Sequence, residues 1–318
     1  MEWIKSQEQA IPHFKSSVLT IGNFDGVHLG HQKLLKTLVQ VARENNTVSV
    51  ACTFRPHPRT ILKPNEPYHR MFDHRDQAEI MHKIGLSYLV EEKFSKDFSL
   101  MSAEEFLTSY IMKIYRPVHL VVGYDFSFGK SRDGNIEYLK KYCVESGIGL
   151  TVVEACEING QVVSSSRIRS FLEHGELDKA CEFLGRPYYL RGPIRVGYKR
   201  GRSIGTPTAN ISPEIEFVPR KGVYFTWAYL ADKKFPSITN IGFNPTFENS
   251  DSYLKVETHI FNFDEDIYGE HLKIELAKFH RDEIKFNSIE VLKQQILNDI
   301  TLAKNFFNTE CNTKCGIE

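Results

Sequence analysis

From Val18 to Phe183 the chain alternates short β-rich runs with helical patterns, and no other feature narrows its fold so far. The runs "VLTI", "TVSVACTF", "LSYLVEE", "VHLVVGYDF" and "GLTVVEA" are rich in Val, Leu, Ile, Thr and Phe, as strands covered on both faces are. Helical spacing lies between them: in "GHQKLLKTLVQVAREN", Leu34, Leu35, Leu38, Val41 and Ala42 fall on one face. Ser102 followed by Glu105 is a capping box that opens another helix. Strand and helix in alternation predict a doubly wound, Rossmann-like α/β domain with a parallel sheet.

After "EFLGRPYYLRG" the pattern changes. "YYLRGPIRVGY", "GVYFTWAYLA", "FPSITNIGF", "YLKVETHIFNF" and "HLKIELAKFH" are short runs separated by Gly, Pro, Asn and Asp. Alternation in "LKVETHIF" and turn residues every ten or so positions predict a small antiparallel β-barrel. The helical pattern "SIEVLKQQILNDITLAKNFF" should pack on it. We place the domains at 1–185 and 186–307, with 308–318 as a flexible tail. A chain of 318 residues suits two domains, at roughly 100–200 residues each.

Composition removes several classes of function. Forty basic and forty acidic residues give a formal net charge of zero, which argues against nucleic acid as a partner. No stretch reaches the ~18 apolar residues of a membrane span, and the N-terminus has no apolar leader core. The expected location is the cytoplasm. The six cysteines lack paired zinc-knuckle spacing; free, mostly buried thiols are expected, with Cys311 and Cys315 in the tail.

The stretch "GNFDGVHLGHQKLL", Gly22 to Leu35, reads as strand end, tight turn and helix start. In a doubly wound sheet such a turn borders the ligand crevice. Gly30 lets backbone approach a ligand, and the amides of a helix N-terminus favour anions. His28 and His31 can then face one phosphate and stabilise the charge that builds up on it. Alone, H-x-x-H could equally be half of a metal site or a coincidence, although the zincin Glu is missing. Gly22, Gly26 and Gly30 are spaced by four, so this is not G-x-G-x-x-G.

The turn resembles the H-x-G-H signature of the nucleotidylyltransferase superfamily, which joins a nucleotide to a phosphorylated partner with loss of pyrophosphate. A second superfamily signature, "ISSTxIR", is matched by "VSSSRIR", Val163 to Arg169, with Ser166 in place of threonine. "FRPHP" (Phe54 to Pro58) and "GYDFSFGKSRDGN" (Gly123 to Asn135) follow the second and fourth runs. Their residue types also describe a loop histidine and core phenylalanines. In combination these strings resemble the N-terminal module of prokaryotic bifunctional riboflavin kinase/FAD synthetases. The resemblance implies ATP and phosphate contacts from Asn23, Gly30, Ser164, Ser165, Ser166 and Arg169. It further implies flavin contacts from His57, Asp125, Phe126 and Phe128.

The same resemblance predicts a riboflavin kinase barrel, and the second half carries its strings in order. "GYKRGRSIGTPTANI" is not a P-loop; its informative part is "PTAN", Pro207 to Asn210. Thr208 and Asn210, two apart on a strand, share a face and offer hard oxygen ligands suited to Mg²⁺ carrying phosphates. "KGVYF", "NIGFNPTF", "VETHIFNFDEDIYG" and "FHRDEIKF" follow. The family's catalytic base falls on Glu257, a phosphate contact on Gly201 and a flavin contact on Arg281. His280 stands where Leu is usual, and Asn244 where Arg is common.

The implied function is ATP-dependent phosphorylation of riboflavin to FMN by the barrel, then adenylylation of FMN to FAD by the first domain. Mg²⁺ at Thr208 and Asn210 would accompany the first step, with Glu257 as base; His28 and His31 would serve the second. Two alternatives stand beside it: an FMN adenylyltransferase whose barrel only binds flavin, and a flavin sensor without turnover. Expected partners are riboflavin, FMN and ATP, with no nucleic acid or membrane.

Overall fold

The topology of the first half follows from where its apolar residues fall along each strand. The computed structural model describes residues 1–6, 12, 14–66, 68–195, 205–215, 217–244 and 253–314. It divides the chain into two compact units, Met1–Ser165 and Ser166–Glu318.

In the first unit, β1 (Glu2–Lys5), β2 (Ser17–Ile21), β3 (Val48–Arg55), β4 (Tyr88–Lys93), β5 (Pro117–Gly123) and β6 (Gly149–Val153) form one sheet. Its order is β1-β4-β3-β2-β5-β6, and every pairing is parallel. Neighbouring residues along a strand face opposite sides. Val18, Ala51, Leu89 and Val121 therefore pack under α1 (Leu29–Glu44), while Leu19, Val50, Val90, Leu120 and Val122 join the core on the other side. Helices on both faces make the sheet doubly wound, as the alternation predicts. Burying Leu35 and Leu38 completely stabilises this layer by about 1.5–3 kcal/mol each.

The order of strands reverses between β2 and β5, which places a ligand crevice at their carboxyl ends. Opposite α1, the sheet is covered by α4 (Ala103–Glu105) with the helix that continues it, and by α5 (Ile136–Ser146). The unit also holds α2 (Pro58–Leu62), α3 (His74–Ile84) and a hairpin of β7 (Glu157–Ile158) and β8 (Gln161–Val162). Ser102 Oγ accepts the Glu105 N–H at 3.2 Å to cap α4, whose first turn is Ala103–Glu105. It then widens into a π-helix over Phe106–Tyr115.

The second unit holds α6 (Ser165–His174), which takes its first residue from unit one, α7 (Leu177–Leu184) and the barrel. Its strands are β9 (Tyr189–Arg195), β10 (Ala209–Ile211), β11 (Gly222–Leu230), β12 (Lys233–Asn244), β13 (Tyr253–Ile260) and β14 (His271–Arg281). They close in the order β10-β13-β12-β11-β14-β9. The boundary expected near Arg186 lies further along the chain than this division. Within the second unit, Arg220 Nη1 donates to the His174 carbonyl at 3.1 Å, tying α6 to the barrel side.

Four hydroxyls occupy buried positions on β11, β12 and β13. Thr226 Oγ1 lies 2.8 Å from both Ser237 Oγ and Thr239 Oγ1, and Thr239 Oγ1 lies 2.9 Å from Thr258 Oγ1. Ser237 Oγ also donates to the Thr226 carbonyl at 2.9 Å. Each hydroxyl is thereby satisfied, as burial requires. The opposite face of β11, with Val223, Phe225 and Trp227, packs against α8 (Ile289–Lys314) through Ile300, Ala303 and Phe307. No Gly or Pro interrupts α8, so it continues past the expected start of the tail at position 308. Gly201 and Cys315, and the side chains of Asn244 and Cys311, lie outside the described residues.

Candidate active sites

The turn after β2 is bent by three left-handed residues: Phe24 (φ 51°), Gly26 (φ 83°) and Val27 (φ 37°). Two of the three are not glycine, so surrounding contacts must hold a conformation that costs each about 1–3 kcal/mol. The turn delivers His28 as the N-cap of α1, where its Nδ1 accepts the His31 N–H at 3.3 Å. Donating the amide at this point fixes the ring in the tautomer with a bare Nδ1. The His28 and His31 rings stack with centroids 3.7 Å apart and an interplanar angle of 16°. Two imidazoles thus present one edge at the helix N-terminus, beside the β2–β5 reversal. A side chain at Gly30 would place its Cβ 3.2 Å from Cε1 and Nδ1 of His28. The glycine leaves room for the histidine pair itself.

Asn23 and Ser165 join this turn. The Asn23 carbonyl accepts Gln77 Nε2 at 2.8 Å, while its buried Oδ1 has no hydrogen-bond partner among the described residues. Ser165 Oγ donates to the Asp25 carbonyl at 2.9 Å. Ser164 precedes α6 half-buried; Ser166, exposed, and Arg169, half-buried, follow on its first turns.

His57 caps the short helix α2 (Pro58–Leu62), its Nδ1 accepting the Arg59 N–H at 3.1 Å. Its ring stacks on Tyr68 at 3.8 Å, and the Tyr68 hydroxyl donates to Asp25 Oδ2 at 3.0 Å. Asp125 is exposed in the loop after β5, and Phe126 is half-buried there. Phe128 is buried in the core between Phe106 and Tyr138; its ring reaches the loop through Phe126, stacked at 5.4 Å. The core phenylalanine is therefore what the packing of Phe128 describes, with Phe126 the ring left at the surface.

In the barrel, β10 pairs with β13 so that Asn210 lies directly opposite Glu257, and β12 pairs so that Asn240 also lies opposite Glu257. Directly paired residues share a face. Glu257 Oε2 is 2.8 Å from Lys255 Nζ, and Asn240 Nδ2 donates to Glu283 Oε1 at 3.2 Å. A Cβ at Gly242 would come 2.2 Å from that same Oε1, so a side chain there would push the Glu283 carboxylate from its place over β12. His259 Nδ1 donates to the Pro207 carbonyl at 2.7 Å. That bond fixes the PTAN segment to the strand that carries Glu257. Burial, opposed by this bond, holds the His259 ring below the ordinary histidine value, so it is neutral at pH 7.

Thr208 and Asn210 line a cavity of about 370 Å³, with Thr258, Phe263, Asp264, Asp266 and Tyr268 also on its wall. Among the described residues no group of three or more His, Cys, Asp or Glu side chains is placed to hold a metal. A hydroxyl and an amide oxygen with carboxylates across the cavity are instead the donor set of an ion that keeps its waters and rides on substrate phosphates, as Mg²⁺ does.

Arg281 has a different setting from the rest. Its guanidinium is committed to Asp299 of α8, with Nε 3.0 Å and 3.2 Å from the two carboxylate oxygens and Nη2 2.6 Å from Oδ2. His280, the departure from Leu, meets the same carboxylate at 3.1 Å and stacks on Phe225 at 4.7 Å. Asp299 thereby gives the imidazole that this departure introduces a polar partner. Sequence reasoning missed Tyr68, Lys255, His259 and Asp299. For Lys255 and His259 a signal existed, since each stands two residues from Glu257 on an alternating strand; Tyr68 and Asp299 act across sequence distances that no local pattern encodes.

Comparison with known proteins matches both halves. A family model described as FAD synthetase matches residues 10–167, and one described as riboflavin kinase matches residues 184–307. A bifunctional riboflavin kinase/FMN adenylyltransferase from Bacillus subtilis (strain 168) is 36% identical over 295 residues, which cover 92% of this chain and 93% of that protein. The protein of the same description from Escherichia coli (strain K12) is 34% identical over 291 residues, covering 91% and 92%. A solved structure from Streptococcus pneumoniae, described as a macrolide-efflux protein, aligns with a TM-score of 0.84 at 30% identity, covering 95% of this chain and 99% of that one. No helix among the described residues is long and apolar enough to cross a membrane. Both motif sets are assembled in one chain and both halves are matched in the same order, so the chain belongs to the bifunctional riboflavin kinase/FMN adenylyltransferase family.

Proposed function

We propose that the chain converts riboflavin to FMN in its barrel and FMN to FAD in its first unit, using one ATP in each step. The family supports both activities and ATP as co-substrate. The observation that carries our assignment of residues is the register that sets Glu257 opposite Asn210 on paired strands.

In the kinase step the 5′-hydroxyl of riboflavin attacks the γ-phosphorus of ATP, its proton passes to Glu257, and ADP leaves. Lys255 holds the Glu257 carboxylate in place at 2.8 Å. Thr208 and Asn210 would hold Mg²⁺, which when bound offsets phosphate charge. His259, through Pro207, keeps the loop that bears them against β13.

In the adenylyl step a phosphate oxygen of FMN attacks the α-phosphorus of ATP and pyrophosphate leaves. The nucleophile is already ionised at neutral pH, so no base is required. His28 and His31 stabilise the charge on the phosphates, and phosphate contacts are assigned to Asn23, Gly30, Ser164, Ser165, Ser166 and Arg169. The flavin contacts fall to His57, Asp125 and Phe126, with Phe128 supporting Phe126 from the core. Positioning and electrostatics supply most of the rate. Both reactions use charged nucleotides that do not cross bilayers, which assigns them to the cytoplasm.

Chromatography of flavins after incubation with riboflavin, ATP and Mg²⁺ tests the reading. The wild type should yield FAD, Glu257→Gln should leave riboflavin unconverted while still turning added FMN into FAD, and His28→Ala should stop at FMN. A purified wild type that leaves both riboflavin and FMN unchanged would sink it.

A further inference from the structure

Three strings that the reaction needs lie far apart in sequence, and one pair of side chains joins them. Asp25 is buried at the centre of the turn that delivers His28. Its Oδ1 accepts the Met71 N–H at 3.2 Å, its Oδ2 accepts the Tyr68 hydroxyl at 3.0 Å, and its carbonyl accepts Ser165 Oγ at 2.9 Å. The Tyr68 ring in turn stacks on His57 at 3.8 Å and 17°. All these residues belong to one compact unit.

We propose that Asp25 and Tyr68 are a positioning pair for adenylyl transfer, holding the histidine turn, the His57 loop and the Ser165 helix start in one register. The inference rests on the adenylyltransferase reading above. Its physical basis is the strained turn. Phe24 and Val27 flank Asp25 and Gly26 in left-handed geometry, which relaxes unless the neighbours over-determine it. The side chain of Asp25 is bonded on both oxygens to the segment that carries Tyr68 and Met71, and the Asn23 carbonyl is bonded to Gln77 a little further along. Release of one of these bonds lets the turn shift, and His28 follows it directly. A displacement of about 1 Å at reacting groups is enough to slow chemistry by as much as a hundredfold. Removing the Tyr68 hydroxyl takes away no group assigned to phosphate or flavin, so its effect belongs in turnover and not in affinity.

Tyr68→Phe isolates the role, because it keeps the ring on His57 and removes the hydroxyl that donates to Asp25. We expect kcat for FAD formation from FMN to fall about tenfold, the size set by losing one hydrogen bond to a charged group. KM for ATP and for FMN should stay within about twofold, and riboflavin kinase turnover in the same chain should not change. Asp25→Asn is the second variant, with the same pattern expected. Because Tyr68→Phe and Asp25→Asn weaken the same bond, the double variant should lose little more than the larger single loss. Losses that multiply, a loss confined to KM, or an unchanged kcat in both Tyr68→Phe and Asp25→Asn would overturn the pair while leaving the adenylyltransferase reading intact. A wild type that makes no FAD from FMN would overturn both.

Discussion

Removing the carboxylate of Asp299 should undock the C-terminal helix from the barrel. Asp299 is 2% exposed and receives the Arg281 guanidinium through Nε and Nη2, His280 Nε2 at 3.1 Å and Gln295 Nε2 at 2.8 Å. Asp299→Ala leaves a mostly covered guanidinium without its counter-charge, which costs roughly 3–5 kcal/mol for a buried pair. Arg281 keeps 18% of its side chain exposed, so the lower end, ~3 kcal/mol, applies after partial rehydration. In a unit of this size that lowers the midpoint of thermal unfolding by about 6–12 °C. The reporter is built in. Trp227 lies 4.5 Å from Phe307 of α8, and Trp3 is the other tryptophan of the chain, so a Trp3→Phe background gives one signal for α8 docking. Burial alone would raise the Asp299 carboxyl, but hydrogen bonds from Arg281 and Gln295 and the charge of Arg281 hold it below the ordinary aspartate value. A depressed folded pKa stabilises above the unfolded value and the gain is lost as pH falls through the folded one. The gap between wild type and Asp299→Asn should therefore be full above about pH 4 and close below it. A midpoint shift under about 2 °C would refute the clamp, as would an Arg281→Ala variant that raised the KM for riboflavin and left the midpoint alone.

Two further outcomes follow from particular contacts. Gly30→Ala improves helix propensity but brings a Cβ within 3.2 Å of the His28 ring, so FAD formation should drop at least about tenfold while the thermal midpoint holds or rises slightly; steady-state assay of both activities checks it, with kinase turnover as the control. Burial and the charge of Glu92 push the Cys52 thiol up to about 12, so in the native protein at pH 8 it should resist iodoacetamide while the part-exposed Cys156 reacts, as peptide mass mapping would show.

The parallel sheet and the barrel were legible because their patterns repeat: buried runs such as β3 cannot be read as surface, and β13 alternates over its length. Short elements were not. β1 is four residues with polar ends, and only its pairing with β4 makes it a strand. The hairpin of Glu157–Ile158 and Gln161–Val162 turns at Asn159 (φ 51°) and Gly160 (φ 72°), and its Asn-Gly pair is the one local signal for strands of only two residues each. The π-helix over Phe106–Tyr115 had no signal, since its apolar spacing also fits an α-helix. Within the sites, local strings put His28 and His31 at a helix start and Asn210 and Glu257 on strands, whereas Thr208, expected on the same strand as Asn210, lies one residue before that strand. Bonds between distant segments, such as Tyr68 to Asp25 or Arg281 to Asp299, depend on tertiary closeness that no window of sequence contains.

The four barrel hydroxyls also have a direction. Each carries one proton, and Ser237 gives its own to the Thr226 carbonyl, so the bond between Ser237 and Thr226 must be donated by Thr226. That leaves Thr226 able only to accept from Thr239, and Thr239 only to accept from Thr258. The chain runs head to tail from Thr258 to a backbone carbonyl, each link polarising the next. Thr258 also lines the cavity shared by Thr208 and Asn210. With its proton committed inward, the Thr258 hydroxyl can meet any further polar group only as an acceptor.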